Sequence, residues 1–239
     1  MQAQVMAILN VTPDSFFAPS RLSGVAQLLA AARRAGSEGA DILDVGGCST
    51  RPDSQPAGAE EEWRRVAPAL DALRKEMPQA RLSLDTFRPE IARRALEEFG
   101  PMIINDISGG SEEMYDVVRD FRVPYIWTLR GDYSRLKTID RLAGMQLILD
   151  PGLGFTGGVE NDYRCLREMD RLKEYGCPVL IGVSRKSMLY KLLGTTPEGC
   201  LSATQVVHFY ALQHGATILR VHDVKEARQT VMLYEKINE

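Results

Sequence analysis

Cysteine is scarce in this chain: there are four, Cys48, Cys165, Cys177 and Cys200, and no two form a C-x-x-C pair. A reduced intracellular chain with cysteines as filler is the expectation. Histidine is rarer still, with three. His208 and His214 fall in a helix-patterned stretch and read as structural or surface residues, whereas His222 closes an apolar run. No apolar run approaches the roughly 20 residues of a membrane helix. The opening Met1-Gln2-Ala3-Gln4-Val5 has neither the basic nor the apolar region of a secretion signal, so a cytoplasmic location is expected. Charge of one sign is also missing. The net charge is -3, with acids and bases interleaved, which leaves no basic tail for nucleic acid and no acidic arm. No linker or low-complexity segment interrupts residues 1–239. The length suits one α/β barrel, although length alone would also hold two small domains.

What the chain does have is alternation. Eight short runs rich in Ile, Leu and Val recur: Val5–Leu9, Asp41–Val45, Arg81–Leu84, Met102–Ile104, Pro124–Trp127, Gln146–Leu149, Pro178–Val183 and Ala216–Val221. They lack clean polar alternation, as parallel strands covered on both faces do. Between them apolar residues recur at spacings of three and four, in Gly24–Glu38, Ala59–Met77, Asn161–Tyr175, Glu198–His214 and Val224–Ile237. Strand then helix, eight times over, predicts a single closed (β/α)8 barrel. One unit is cramped: between Thr128 and Gln146 there is room only for a loop and a small helix around Asp132–Ala143, so a shortened fifth helix is expected. Trp63 reads as helix-face core. The pairs Arg33-Arg34 and Arg64-Arg65 read as solvated faces.

The polar residues stand where the runs end: Asn10, Gly46-Gly47, Asp85, Asn105, Thr128, Asp150, Ser184 and His222. In a barrel these ends share one rim, which carries the active site. Any one of them could merely cap a helix or start a turn, but turn chemistry does not require Asp-Thr, Asn-Asp and Asp-Pro-Gly at equivalent places. Period-two geometry puts Ser83 with Asp85, and Arg220 with His222, on the inner face. Charged and amide groups gathered there need each other or a polar ligand. Two carboxylates and an amide suit a heterocycle with an edge of N–H donors, and a guanidinium can stack on its flat face. Asn10, Arg51, Arg220 and His222 could gather an anion, helped by the helix that starts near Asp223-Val224. The residues alone therefore point to a planar, nitrogen-rich ring beside a phosphate-like group.

These segments resemble the signatures of dihydropteroate synthases. Ile8-Leu9-Asn10-Val11-Thr12-Pro13-Asp14-Ser15-Phe16 is similar to the first, and Asp41-Ile42-Leu43-Asp44-Val45-Gly46-Gly47-Cys48-Ser49-Thr50-Arg51-Pro52 to the second. Leu84-Asp85-Thr86, Ile104-Asn105-Asp106-Ile107-Ser108-Gly109, Asp150-Pro151-Gly152-Leu153-Gly154-Phe155, Gly182-Val183-Ser184-Arg185-Lys186-Ser187 and Leu219-Arg220-Val221-His222-Asp223-Val224 follow in the family's order. Seven such motifs, each at a strand end, span essentially the whole chain.

The resemblance implies a homodimeric barrel joining 6-hydroxymethyl-7,8-dihydropterin diphosphate to 4-aminobenzoate. It assigns Asp85, Asn105, Asp150, Phe155 and Lys186 to the pterin. Arg220 would stack on the ring and, with Asn10 and His222, contact the diphosphate. Mg2+ would bridge Asn10 and the diphosphate, while Thr50, Arg51 and Ser187 would frame the aminobenzoate. Arg185 reads as an exposed helix start or one half of a structural ion pair.

The chain departs from the family in several places. Phe17-Ala18-Pro19-Ser20 replaces the usual Ser-Asp-Gly-Gly, so Ala18 stands where an acid is usual. Cys48 stands in place of a usual Glu. Strand five ends Trp127-Thr128-Leu129 rather than Met-His-Met, where Trp127 serves either as a ring contact or as a buried wall residue. Thr156-Gly157-Gly158 lacks the usual Lys. A methyltetrahydrofolate methyltransferase-type barrel, or a catalytically inactive pterin-binding homologue, would share the Asp/Asn/Asp floor. The methyltransferase type lacks the Ser184-Arg185-Lys186 and Arg220-Val221-His222 motifs, which favour a diphosphate substrate.

Overall fold

The computed structural model describes residues 2–11, 21–48 and 57–239. Ala18, Thr50 and Arg51 lie outside the described residues. Strand β1 (Gln4–Asn10) leads to α1 (Arg21–Ser37), β2 (Ile42–Gly46) to α2 (Ala59–Glu76), and β3 (Leu82–Asp85) to α3 (Pro89–Phe99). Next come β4 (Ile103–Asp106) with α4 (Glu112–Phe121), and β5 (Pro124–Thr128) with a 3-10 helix, Tyr133–Leu142. Strand β6 (Gln146–Asp150) leads to α5 (Val159–Arg167) and a second 3-10 helix, Met169–Tyr175. Last are β7 (Leu180–Ile181) with α6 (Ser187–Leu193) and α7 (Leu201–Gln213), then β8 (Ile218–Val221) with α8 (Val224–Asn238).

All strand pairs are parallel, in the order β6-β5-β4-β3-β2-β1-β8-β7. A bridge between Leu149 and Val179 joins the two ends, and the Leu149 N–H donates to the Pro178 carbonyl at 2.8 Å. The strands thus close on themselves as the alternation predicts, leaving no edge. Register sets what faces inward. Met6 pairs with Ile42, Asp44 with Ser83, Asp85 with Asn105, and Thr128 with Asp150. Met6, Ile42, Ile103, Ile126, Ile148, Leu180 and Ile218 form an apolar layer inside the barrel, separate from the main core. Their neighbours Val5, Leu43, Val45, Leu84, Ile104 and Leu149 face outward into that core, beneath the helices. Each fully buried side chain of this kind contributes about 1.5–3 kcal/mol.

Local signals explain the helices. In α2, Glu60, Glu61 and Glu62 fill the first turn and Arg74 and Lys75 the last, complementing the helix dipole. Helix α3 begins with Pro89, whose missing N–H loses nothing there. Helix α4 is capped by Ser111, whose Oγ accepts from the Met114 N–H at 3.2 Å. Trp63 is buried in the core, stacked on Phe99 with centroids 6.1 Å apart.

The cramped fifth unit is bridged by a change of helix type. A 3-10 helix rises about 2.0 Å per residue, so the ten residues Tyr133–Leu142 span about 20 Å where an α-helix would span about 15 Å. Tyr133, Leu136 and Leu142 are its buried residues. The stretch expected as one helix over Asn161–Tyr175 breaks at Glu168, at φ -95° and ψ 7°. Cys165, Leu166, Met169 and Leu172 are buried on both sides of the break, so periodicity alone carries no mark of it. Strand β7 is two residues long, against six expected. Arg65 is not a solvated residue: its side chain is 16% exposed and donates to the Gly47 carbonyl at 3.0 Å. No helix among the described residues is long and apolar enough to cross a membrane.

Candidate active site

Above the apolar layer the inner face turns polar. Asp44 on β2 is fully buried, and its Oδ2 accepts from Asn105 Nδ2 at 3.1 Å and from Arg220 Nε at 2.7 Å. The same guanidinium donates to Asp85 Oδ2 at 2.6 Å. One arginine on β8 therefore ties the ends of β2 and β3 across the barrel mouth, with the amide of β4 alongside. Asp44 Oδ1 is buried and has no hydrogen-bond partner among the described residues, an acceptor left unsatisfied beneath the mouth.

Asp44 is not one of the polar residues that end the strand runs, although the sequence carries a signal for it. It lies two residues before Gly46, hence on the same inner face, in the otherwise apolar Ile42-Leu43-Asp44-Val45. A carboxylate in such a strand is costly unless paired. Gly46 lets the strands carry bulky polar ends close together. A Cβ there would sit 3.3 Å from the Asp85 Cβ and 3.5 Å from Asn10 Oδ1, which places the Asn10 amide beside Asp85 at the rim.

On the opposite wall, Asp150 Oδ1 accepts from the Gly152 N–H at 2.8 Å, and Thr128 Oγ1 lies 3.5 Å from Oδ2. Gly152 has φ 79°, and a Cβ on it would meet the Arg130 backbone nitrogen at 2.9 Å, so the Asp-Pro-Gly turn requires glycine. Lys186 Nζ donates to the Leu153 carbonyl and sits 5.0 Å from the centre of the half-buried Phe155 ring. Asp85, Asn105, Asp150, Lys186 and Arg220 are thus gathered at one mouth, joined by hydrogen bonds or by charge. Ser187 opens α6 directly after Lys186. His222 is exposed just past β8, and its backbone N–H donates to Ser184 Oγ at 3.3 Å.

Trp127 turns out to be a wall residue. It is buried in the outer core, and its indole N–H donates to the Gly109 carbonyl at 2.8 Å. Arg185 forms the ion pair anticipated as one option, with Asp223. His208 is buried, its Nδ1 is 3.1 Å from Gln205 Oε1, and burial lowers its pKa to about 4. It is a neutral packing residue. His214 pairs with Asp170 at 2.9 Å on the surface.

Crowding in the mouth shifts the titrating groups. Burial raises the Asp85 carboxyl to about 7 despite Arg220, with Asp44 adding to the rise. Burial also raises Asp150, which Lys186 opposes. Burial lowers the Lys186 ammonium to about 8, against the pull of Asp150. Arg220 is driven the other way: its carboxylate neighbours Asp44 and Asp85 outweigh burial and raise its pKa. Such a site can accept ring N–H donors on one wall and offer an ammonium and a guanidinium beside them.

Comparison with known proteins gives the same picture. The family model described as pterin binding enzyme matches residues 6–141 and 140–222. The chain is 35% identical to a dihydropteroate synthase of Streptococcus pyogenes, over 98% of this chain and 96% of the relative. The fold superposes on a Xanthomonas albilineans dihydropteroate synthase solved with 4-aminobenzoic acid at a TM-score of 0.91 and 34% identity, covering 99% of this chain and 93% of that one. A second structure of that enzyme, in complex with 7,8-dihydropteroate, gives a TM-score of 0.87 at 33% identity, covering 99% and 94%.

Proposed function

The chain belongs to the dihydropteroate synthase family of pterin-binding enzymes, and from that premise we propose how its barrel mouth carries out the family's reaction. It is a transferase of folate biosynthesis. The reaction joins 6-hydroxymethyl-7,8-dihydropterin diphosphate to 4-aminobenzoate, giving 7,8-dihydropteroate and diphosphate. Residues 1–239 act as one pterin-binding barrel domain. The observation that supports this reading best is the bonded set Asp44–Asn105–Arg220–Asp85 at one rim, with an unpartnered buried oxygen left on Asp44.

A pterin presents N–H donors along one edge, and Asp85, Asn105 and Asp150 take that edge. Lys186 donates to a ring acceptor, Phe155 lines the pocket, and Arg220 lies against the ring. Arg220, His222 and Asn10 contact the diphosphate. In the reaction the bond from the pterin methylene to diphosphate breaks, and its electron pair leaves with the oxygen. The arylamine lone pair forms the new C–N bond, and the amine sheds a proton. Arg220 and His222 neutralise the charge growing on the leaving group. The Asp85 carboxylate favours the positive charge that spreads from the methylene into the ring. The amine is already nucleophilic, so placement supplies most of the acceleration. Ser187, with Thr50 and Arg51, is assigned to the aminobenzoate.

Mg2+ fits this rim in one form. No three His, Cys, Asp or Glu side chains among the described residues gather as a cage. The Asn10 amide oxygen would be the protein donor, an oxygen ligand of the kind Mg2+ takes. Held there, the ion would add positive charge beside the departing diphosphate.

Diphosphate release from the pterin substrate, measured with and without 4-aminobenzoate, tests the assignment. Release that requires the arylamine is expected, and tight pterin binding without such release would reject the condensation. The pH profile of kcat/KM is expected to be a bell. Its acid limb lies near 7, where Asp85 loses the charge that accepts ring N–H groups, and its basic limb near 8, where Lys186 loses its proton. A profile flat from pH 6 to 9 would mean that neither group's protonation matters to the free enzyme's reaction with substrate.

The enzyme works in the cytoplasm as a homodimer on this reading. Leu192, Leu193, Val206, Met232, Leu233 and Ile237, on α6, α7 and α8, are all strongly exposed. Apolar side chains so exposed favour burial against a second copy. Light scattering at micromolar concentration is expected to give twice the 26.6 kDa chain mass, and a monomer would reject the dimer.

A further inference from the structure

Two neighbouring loops at the rim are fastened to each other by contacts that the reaction does not itself call for. The loop after β7 carries Ser184, Arg185 and Lys186, and the loop after β8 carries His222 and Asp223. Arg185 donates twice to Asp223, from Nε to Oδ2 at 2.9 Å and from the terminal nitrogen to Oδ1 at 2.7 Å. The backbone N–H of His222 donates to Ser184 Oγ at 3.3 Å. The backbone N–H of Arg185 donates, also at 3.3 Å, to Oγ1 of Thr204, which is fully buried on α7. The pair is largely shielded, with side chains 30% and 15% exposed.

Two further observations show why the loop after β7 needs this anchorage. Strand β7 has only two residues, two register pairs with β8 and a single bridge on its other side. The ladder itself holds nothing past Ile181. Arg185 itself holds a φ of 55°, a left-handed conformation that residues other than glycine and asparagine seldom take unless surrounding contacts impose it. Two parallel N–H···O bonds from a planar guanidinium fix an orientation as well as a distance, which an ammonium cannot do.

The geometry points to Arg185 as a positioning residue: its fork on Asp223 sets the loop bearing Lys186 against the loop bearing His222. This rests on the roles proposed above, in which Lys186 faces the pterin ring and His222 the diphosphate. The pair thereby fixes the spacing at which ring and diphosphate are held together. The benefit is felt only by a ligand that has both parts.

Arg185→Lys and Asp223→Asn separate this role from simpler ones. The first keeps the charge and removes the fork. The second removes a negative charge near the diphosphate subsite, so electrostatics alone would strengthen diphosphate binding, whereas loss of placement weakens it. Calorimetry with 6-hydroxymethyl-7,8-dihydropterin and with its diphosphate, in the presence of Mg2+, reads the gain in affinity that the diphosphate brings. In both variants that gain is expected to fall on the order of tenfold, while affinity for the bare pterin stays within about twofold of wild type. Melting temperatures show whether each variant is folded. An undiminished gain in either folded variant overturns the inference and leaves the proposed function standing. A wild-type chain that binds neither compound overturns the proposed function, and the inference with it.

Discussion

Asp85→Ala is expected to weaken pterin diphosphate binding by about a thousandfold. The carboxylate stands at the end of β3 beside Arg220 and Asn10. Removing it strands ring N–H donors in an enclosed site, at roughly 1–3 kcal/mol for each unpaired group. The fold should survive, because Arg220 keeps its 2.7 Å bond to Asp44. Asp85→Asn should be nearly as damaging, since its amide turns a donor towards donors. Calorimetry checks both variants, with the melting temperature as control. A dissociation constant within about threefold of wild type would take Asp85 out of the pterin site.

Arg220→Met should do more than stop turnover. It leaves Asp44, fully buried, and Asp85 without their shared cation, and breaking a buried pair in this way costs about 3–5 kcal/mol. The sign of its pH dependence follows from the carboxyl. Asp85 already has a folded pKa raised to about 7, against about 3.9 in an unfolded chain, and losing Arg220 raises it further. The folded state then holds a proton that the unfolded state has released, so stability falls as pH climbs from about 4 through the folded value. Urea unfolding should therefore show a larger deficit at about pH 8 than at about pH 5.5. An equal deficit at both would mean that the guanidinium is not compensating those carboxylates.

The barrel was legible because its strands are covered on both faces, so their apolar runs stand out without alternation. The rim was legible for the same reason: Asp85, Asn105 and Asp150 end such runs, and an abrupt polar stop is visible in one dimension. Asp44 was harder to see. It sits inside its run, and only the pairing of β2 with β3 and the reach of Arg220 from the far end of the chain reveal its partners. Arg65 reads as solvated because its target is a backbone carbonyl, at Gly47, which a sequence does not display. The fifth unit's brevity was plain from residue counting, but a change of helical rise was not. In β7 the apolar run Pro178–Val183 overstates the strand, since apolar character persists where pairing stops.

The apolar layer of Met6, Ile42, Ile103, Ile126, Ile148, Leu180 and Ile218 turns the cup above it into a blind well. A guest seated against Asp44 and Asn105 has no rear exit and must depart by the route it entered. On the proposed reaction, two substrates and two products share that one opening.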